Sequence, residues 1–278
     1  IELREAVLAL ITAEEIETGG ATLAAMVADA CLDLGDGESA YRLLSPSHDV
    51  QEQSGFNEEM FRRSLEMTTR WRELGDFNAQ RVRRLTSVDQ RIDALLEIGG
   101  QYRRDDNSGQ RALGVYLEVL SLDPRDETVG PIIDDLARST GLWDKCVAPY
   151  ERAIEVQDDA RLKADLRIRL VRWCCGPLSD SAGAYGHYRL LLDTLAPGHI
   201  IFDDIEGALA EQGEWGPLDD LLARRIAAFE DGDGRVAVLA RRAEVLDLRL
   251  GDAEAGLEVW RAVLKADPEH EGAFTALQ

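Results

Sequence analysis

The residues best suited to chemistry are four histidines and a short acidic segment, and neither set has the spacing of a known site. The histidines are His48, His187, His199 and His270. None lies in an HExxH motif or in a pair four residues apart, the arrangement by which a helix presents two imidazoles to zinc. The segment EDGDGR (230–235) lacks the central glycine and closing glutamate of a calcium loop. We therefore expect no catalytic residues, no metal site and no cofactor, and hence not an enzyme.

The four cysteines suggest packing rather than chemistry. Cys174 and Cys175 are adjacent, which is poor geometry for a disulfide, and the sequence contains no CxxC motif. We predict that the cysteines are small core residues in a reducing compartment. This pattern favours a cytoplasmic location.

Charge and composition restrict the classes of partner. The 278 residues include 53 acidic and 31 basic side chains, which gives a formal charge of −22. Such a polyanion is repelled at long range by nucleic acid and by anionic membranes. No apolar run approaches the roughly 20 residues that cross a bilayer. We expect neither nucleic acid nor a membrane as partner, and the abundance of Ala, Leu, Arg and Glu favours helices.

Turn residues recur along the chain at a spacing near 34. Seven segments share one context, in which an apolar helix is followed by a turn residue and then by a second helix. The turn residues are Gly35, Gly75, Asn107, Gly141, Ser179, Gly213 and Gly251. From each to the next, the residue number rises by 40, 32, 34, 38, 34 and 38. This periodicity indicates a helical repeat rather than one irregular domain.

The residues after each turn resemble those of the tetratricopeptide repeat (TPR), a 34-residue helix–turn–helix unit. That family places a small residue five positions after the turn residue, a large one nine after it and a small one twelve after it. After Gly251 these positions hold Gly256, Trp260 and Val263, and Pro268 follows at the end of the predicted helix. Three other copies give the pairs Ala112 and Tyr116, Cys146 and Tyr150, and Ala184 and Tyr188. Such residues share one helix face and predict close packing between helices.

The resemblance covers about residues 20–278 and implies an all-α fold. We expect a single TPR-like solenoid over residues 1–278, a right-handed superhelix of about seven helix–turn–helix repeats with a concave face. Residues 1–19 are predicted to form an atypical N-terminal helix, and residues 45–57 a linker that is a possible break. Because the chain does not begin with Met and stops after an apparent helix start, we expect a fragment of a longer multi-repeat protein.

Some residues depart from the family pattern. The copy marked by Gly75 has Gln80 and Arg84 where a small and an aromatic residue are expected, so its second helix is degenerate or its register is shifted. Pro149 lies inside a predicted helix and is expected to kink it. Acidic residues replace a small one in three first helices, at Asp134, Glu206 and Glu244.

An arginine series is the sharpest candidate for partner binding. In the predicted register Arg72, Arg104 and Arg138 take the same position in three consecutive first helices, which line the concave groove in this family. Stacked repeats would turn them into a ladder of guanidinium groups able to grip carboxylates. Ordinary surface charge is the alternative, because cations are favoured near helix C-termini. The lysine and asparagine carboxylate clamp of some chaperone-binding relatives is absent.

The tryptophans divide into core candidates and one binding candidate. The core candidates are Trp71, in a first helix, and Trp143, Trp215 and Trp260. In one alignment Trp173 reaches the inner face of a first helix, which makes it a further candidate for partner contact.

The resemblance implies a non-catalytic protein–protein interaction scaffold that binds a protein or peptide, possibly an acidic one, on its concave face. The alternative is a regulatory or sensor region of a larger enzyme or signalling protein. RNA binding, through the related half-a-TPR repeats, is opposed by the charge. Solenoid ends expose apolar surface, so self-association through them is also expected.

Overall fold

The computed structural model describes residues 21–48 and 55–278, and all regular elements in these two segments are helices. In chain order they are α1 (Ala21–Asp33), α2 (Gly37–His48), α3 (Gly55–Met67), α4 (Trp71–Val82), α5 (Val88–Arg103), α6 (Gly109–Leu122), α7 (Val129–Thr140), α8 (Asp144–Val156), α9 (Ala160–Cys175), α10 (Ser181–Leu192), α11 (Ile201–Gln212), α12 (Trp215–Ala228), α13 (Asp233–Val245), α14 (Ala253–Ala266) and α15 (Glu271–Ala276). A π-helix, Leu246–Leu250, continues α13. The all-α prediction is confirmed. The predicted helix at 1–19 and positions 49–54 of the linker lie outside the described residues.

Short turns separate first helices from second helices, and most contain a residue in the left-handed conformation. Four are glycines, with φ of 81° at Gly35, 71° at Gly141, 75° at Gly213 and 69° at Gly251. Glycine has no Cβ to oppose this conformation, which ends a helix and reverses the chain. The predicted turn positions are confirmed at these four residues.

Gly75 is not a turn residue, and the register predicted around it is wrong. Gly75 lies inside α4, where a Cβ would sit 2.6 Å from the ring of Tyr102 in α5. Glycine is needed there for close helix packing. The turn is instead at Thr69, whose φ is 54°. A β-branched residue such as threonine is rare at positive φ, so Thr69 does not indicate a turn at the level of sequence.

With Thr69 as the turn residue, the steps between successive turns alternate regularly between 34 and 38 along the whole series. Two hairpins of different length therefore combine into a double unit, and the pattern returns at every second hairpin. The additional residues lie in alternate first helices. Helices α5 and α9 have 16 residues each and α13 has 13 plus 5 in the π-helix, whereas α3, α7 and α11 have 13, 12 and 12. The difference of about four residues corresponds to about one helical turn.

The residue two positions after each turn residue alternates with the same period. Tryptophan occupies this position in every second copy, as Trp71, Trp143 and Trp215, and a small residue in the others, as Gly37, Gly109, Ser181 and Ala253. A Cβ on Gly37 would lie 2.7 Å from Cβ of Met67, and one on Gly109 would lie 3.0 Å from Cγ2 of Thr140. The small residues thus let the end of the next first helix approach. Trp71 begins a second helix and was wrongly assigned to a first helix.

The predicted packing positions form the core. The small and large residues after Asn107, Gly141, Ser179 and Gly251 are all buried. Helix α8 continues past Pro149.

The chain divides into two compact units between Gly141 and Leu142. In the first, buried residues of α1 to α4, among them Leu32, Ala40 and Leu65, share one core. Helices on both sides of the predicted break at 45–57 contribute to that core. In the second unit, residues from α9 to α15 form another continuous core.

Candidate functional site

The three predicted arginines do not occupy equivalent positions. Arg104 follows the last residue of α5 and Arg138 lies in the last turn of α7, each three positions before its turn residue. Arg72 lies instead in the first turn of α4, a second helix. In that copy the equivalent residue is Glu66. The predicted ladder is therefore wrong, because it depended on Gly75 being a turn.

Arg138 is paired within its own helix. Its Nη1 lies 2.9 Å from Oδ1 of Asp135, and the two side chains are 69% and 68% exposed. An ion pair so open to solvent contributes little energy and little orientation. Arg138 is consequently a surface residue with its charge already matched.

Trp173 is buried, so the expectation of an exposed groove residue is wrong. Its side chain lies in the second unit at 3% exposure. The centre of its ring is 4.7 Å from that of Tyr150 and 5.8 Å from that of Trp143. Trp173 of α9 thus packs against Trp143, which precedes α8, and against Tyr150 inside α8, and this packing accounts for its burial.

A groove of about 470 Å³, which we call the Trp71 groove, lies beside Arg104 in the first unit. Its walls come from α3, α4 and α5. The lining residues are Glu66, Trp71, Leu74, Leu96, Glu97, Gly100, Gln101 and Arg104. The groove therefore combines one predicted arginine with apolar, acidic and glycine residues that sequence reasoning did not select.

An aromatic ring and a guanidinium form the edge of this groove. The Cζ atom of Arg104 lies 4.5 Å from the centre of the half-buried Trp71 ring. Such stacking contributes about 0.5–1 kcal/mol at exposed sites. Within residues 21–48 and 55–278, Arg104 makes no ion pair, and neither does Arg72. The N–H groups of Arg104 are thus held in place and available to a ligand.

On the α3 wall of the groove, one arginine pairs with two glutamates. Arg62 forms ion pairs with Glu66 one turn ahead and with Glu59 on the preceding turn. The hydrogen bond to Glu59 raises the pKa of the Arg62 guanidinium above its ordinary value. Glu66 therefore shares one guanidinium with Glu59, and the three side chains together keep one negative charge.

A chain of amide contacts fixes the α5 wall. Gln101 is 5% exposed, and its Nε2 donates to Oε1 of Glu97 at 3.0 Å. Its Oε1 accepts a hydrogen bond from Nδ2 of Asn78 at 3.1 Å. These contacts hold α4 against α5 and leave Glu97 at the groove.

The floor of the groove has an open stretch of backbone at Gly100. A Cβ on the preceding residue, Gly99, would lie 2.8 Å from the ring of Tyr116, so glycine is required there. A Cβ on Gly100 would have no atom within 4 Å. Packing within the chain does not explain Gly100, although a glycine inside a helix costs about 0.5–1 kcal/mol relative to alanine.

A buried tyrosine supports the groove from behind. The hydroxyl of Tyr102 donates to Oδ1 of Asp76 at 2.7 Å, and Asp76 also pairs with Arg111. Burial, reinforced by the bond to Asp76, raises the pKa of Tyr102 to about 12. The phenol is thus neutral at physiological pH and joins α4 to α5.

Two adjacent thiols are buried, and the described segments hold no group of metal ligands. Burial raises the pKa of Cys174 to about 12 and that of Cys175 to about 11, so both are protonated at neutral pH. Across residues 21–48 and 55–278, no three or more His, Cys, Asp or Glu residues lie close enough to bind a metal. Nor does any helix there have the length and apolarity needed to cross a bilayer.

A buried ion pair in the second unit was missed at the sequence level. Nη1 of Arg225 lies 2.6 Å from Oε1 of Glu206 and 2.8 Å from Oδ1 of Asp203, and its Nε donates to the carbonyl of Pro197 at 2.7 Å. Burial opposes the charge on Arg225, but hydrogen bonds to Glu206 and Asp203 outweigh it and raise its pKa. Burial raises the pKa of Glu206, against the hydrogen bond from Arg225. The acid that departed from the family pattern thus joins α11 to α12.

No family model and no curated protein matches this sequence. Among solved structures, the complex of Naa15/Naa10 bound to HypK-THB is 15% identical and has a TM-score of 0.44. The match covers 92% of this chain and 38% of that one, so this chain spans well under half its length. The C-terminal part of a TPR repeat-containing protein from Cytophaga hutchinsonii is 11% identical over 91% of this chain and 99% of that one, with a TM-score of 0.37.

A tetratricopeptide repeat protein from Parabacteroides merdae is 12% identical over 95% of this chain and 96% of that one, with a TM-score of 0.30. Scores below 0.5 do not assign a function. The hairpins and buried small–large pairs of the chain itself are the stronger observation. The chain is a helical-repeat protein consistent with degenerate TPRs. In these repeats the Trp71 groove lies between two consecutive hairpins.

Proposed function

We propose that this chain is a non-catalytic protein-binding module and that the Trp71 groove receives a segment of its partner. The observation that carries the proposal is Arg104, stacked on Trp71 and without an ion pair in the described part of the chain. A preformed groove reduces the ordering cost of binding an extended or helical segment. In the solenoid predicted from sequence, α3 and α5 are first helices and face the concave side.

The groove favours a partner segment with a bulky apolar residue next to an acidic one. The half-buried side chains of Trp71 and Leu96 offer apolar surface for the first. The fork of Arg104 offers paired N–H donors to the carboxylate of the second, and Arg72 is an exposed arginine next to Trp71 that can add to this charge. The apolar contact is needed because the charge of −22 repels acidic ligands at long range.

Gly100 allows the groove to be filled without disturbing the core. Peptides are selected from a random twelve-residue display library on the wild-type chain, and their affinities are measured by calorimetry. We expect Gly100→Phe and Arg104→Glu each to weaken binding at least tenfold. Gly114→Phe is the matched control, since Gly114 lies inside α6, is exposed and also has no atom within 4 Å of a Cβ. Equal binding by the Gly100→Phe and Gly114→Phe variants would contradict the proposal.

Self-association through α14 and α15 is a second part of the proposal. Phe274 in α15 is 59% exposed, whereas Phe202, which takes the equivalent place two hairpins earlier, is fully buried. Leu257 in α14 is also exposed. A second copy of the chain can cover this apolar surface. Sedimentation velocity is expected to show a concentration-dependent dimer that Phe274→Glu abolishes, and a monomer at high concentration would contradict it.

The proposed location is the cytoplasm. Cys31 and Cys174 are buried as free thiols, which fits a reducing compartment. Fluorescence microscopy of the tagged chain tests this location.

A further inference from the structure

The Trp71 contact has a counterpart in the second unit. Trp215 follows Trp71 by four hairpins, or two double units, and begins α12 as Trp71 begins α4. The Cζ atom of Arg249 lies 4.8 Å from the centre of the Trp215 ring, against 4.5 Å for Arg104 and Trp71. In both units an arginine at the end of the following first helix therefore lies against the tryptophan ring.

The backbone around Arg249 differs from that around Arg104. Arg249 is two positions before its turn residue, whereas Arg104 is three positions before Asn107. Arg249 lies in the π-helix Leu246–Leu250, which widens the end of this first helix. Single π-helical turns of this kind are frequent at functional sites. The stacking contact is thus retained despite a change of register.

The charge of Arg249 is not matched within the described segments, where it makes no ion pair. Asp219, in the same helix as Trp215, is already paired with Arg242 at 2.7 Å. Leu248 and Leu250, on either side of Arg249, are 73% and 43% exposed. The π-helix therefore presents an available guanidinium between two exposed apolar side chains.

The third tryptophan of the series provides an internal contrast. Trp143 also follows its turn residue by two positions, but it packs against the ring of Trp173, and no arginine of the described segments lies over it. This copy contributes to the core. The arginine contact is thus a property of two copies and not of the repeat as such.

We infer that Trp215, Arg249 and Leu248 form a second peptide-binding surface, located in the second unit. Its ligand is a protein segment with a carboxylate for Arg249 and an adjacent bulky apolar residue that packs on Leu248 and Trp215. The ligand class rests on the proposed function, whereas the site rests on its own contacts.

The full chain carrying Gly100→Phe isolates this second surface. Peptides are selected on that variant from the random twelve-residue display library and tested by calorimetry. We expect peptides that combine acidic and large apolar residues, with binding weakened at least tenfold by Arg249→Glu and by Leu248→Asp. Arg261→Glu is the matched control, because Arg261 is an exposed arginine on α14.

The outcomes separate the two proposals. Peptides that bind the Gly100→Phe chain and lose affinity with Arg249→Glu support the second surface. This holds even when no peptide selected on the wild-type chain depends on the Trp71 groove. Peptides that tolerate Arg249→Glu, or lose as much affinity with Arg261→Glu, overturn it. Failure to select any peptide on the Gly100→Phe chain also overturns it, whatever the wild-type chain selects.

Discussion

At the scale of single residues, Gly99 and Gly100 show how adjacent identical residues have different roles. We expect Gly100→Ala to raise the free energy of unfolding by about 0.5–1 kcal/mol, because its Cβ meets open space and alanine favours the helix. We expect Gly99→Ala to lower it by about 1–3 kcal/mol, because its Cβ collides with Tyr116. Urea unfolding of the two variants measures both changes. Stabilisation by both substitutions would contradict the packing described at Gly99.

The Arg225–Glu206 pair makes a pH-dependent prediction. Arg225→Met leaves Glu206, which is 1% exposed, with Arg241 as its remaining cation, 3.6 Å from Oε2 and 40% exposed. We therefore expect a loss of about 3 kcal/mol at pH 8, the lower end of the range for a broken buried pair. Burial raises the pKa of Glu206 in the folded chain above its unfolded value. Protonated Glu206 therefore contributes fully to the free energy of unfolding at pH values below its pKa in the unfolded chain. This contribution is lost as the pH rises through its pKa in the folded chain.

We accordingly expect the Arg225→Met variant to be less destabilised at pH 5 than at pH 8. Chemical unfolding at the two pH values, each against the wild-type chain, measures the difference. Adding Glu206→Gln to Arg225→Met supplies the control, since an amide does not titrate. A destabilisation that is equal at both pH values in the single variant would show that Glu206 does not carry the effect.

Only part of the Trp71 groove could be predicted from the sequence. Arg104 was identified from its position, and it does lie at the groove. Its partner Trp71 was assigned to the core because Gly75 resembles a turn glycine, and the contact that makes Gly75 necessary comes from Tyr102 in the following helix. The open surface at Gly100 could not be predicted, because Gly99 and Gly100 are indistinguishable without their neighbours.

At the scale of helices and turns, two hairpins reverse through non-glycine residues. Thr69 and Ser179 have φ of 54° and 50°, in a region that costs L-residues roughly 1–2 kcal/mol. We expect Thr69→Gly and Ser179→Gly each to raise the free energy of unfolding by about 1 kcal/mol. Thermal and urea unfolding measure the change. Thr128→Gly is the control, since Thr128 has a φ of −79° and gains nothing from glycine.

The helices themselves were largely predictable from sequence. Helix α14 was defined by Gly251, Gly256, Trp260 and Val263, and all of these take the expected places. The alternation of long and short first helices was not recognised, although it is present in the spacing of turns. One misplaced marker changed spacings of 34 and 38 into 40 and 32, which concealed the two-hairpin period. A threonine in the left-handed region is a tertiary outcome that local sequence does not specify.

At the scale of the whole chain, the net charge predicts which partners are rejected. With a formal charge of −22, the chain is expected not to retain poly(U) RNA in a filter-binding assay at low salt, where attraction to phosphate is strongest. A basic RNA-binding protein serves as the positive control. Salt-sensitive retention of RNA at micromolar protein would contradict this prediction and revive the half-a-TPR alternative.

The alternation between tryptophan and a small residue after each turn also bears on how the length of this chain can change over generations. Loss of a single hairpin would place two hairpins of the same type next to each other. A tryptophan or a glycine after a turn would then pack against a first helix of the wrong length. Loss or duplication of a complete double unit would keep every such neighbour in place. We therefore expect natural length variants of this protein to differ by an even number of hairpins, gained or lost in pairs.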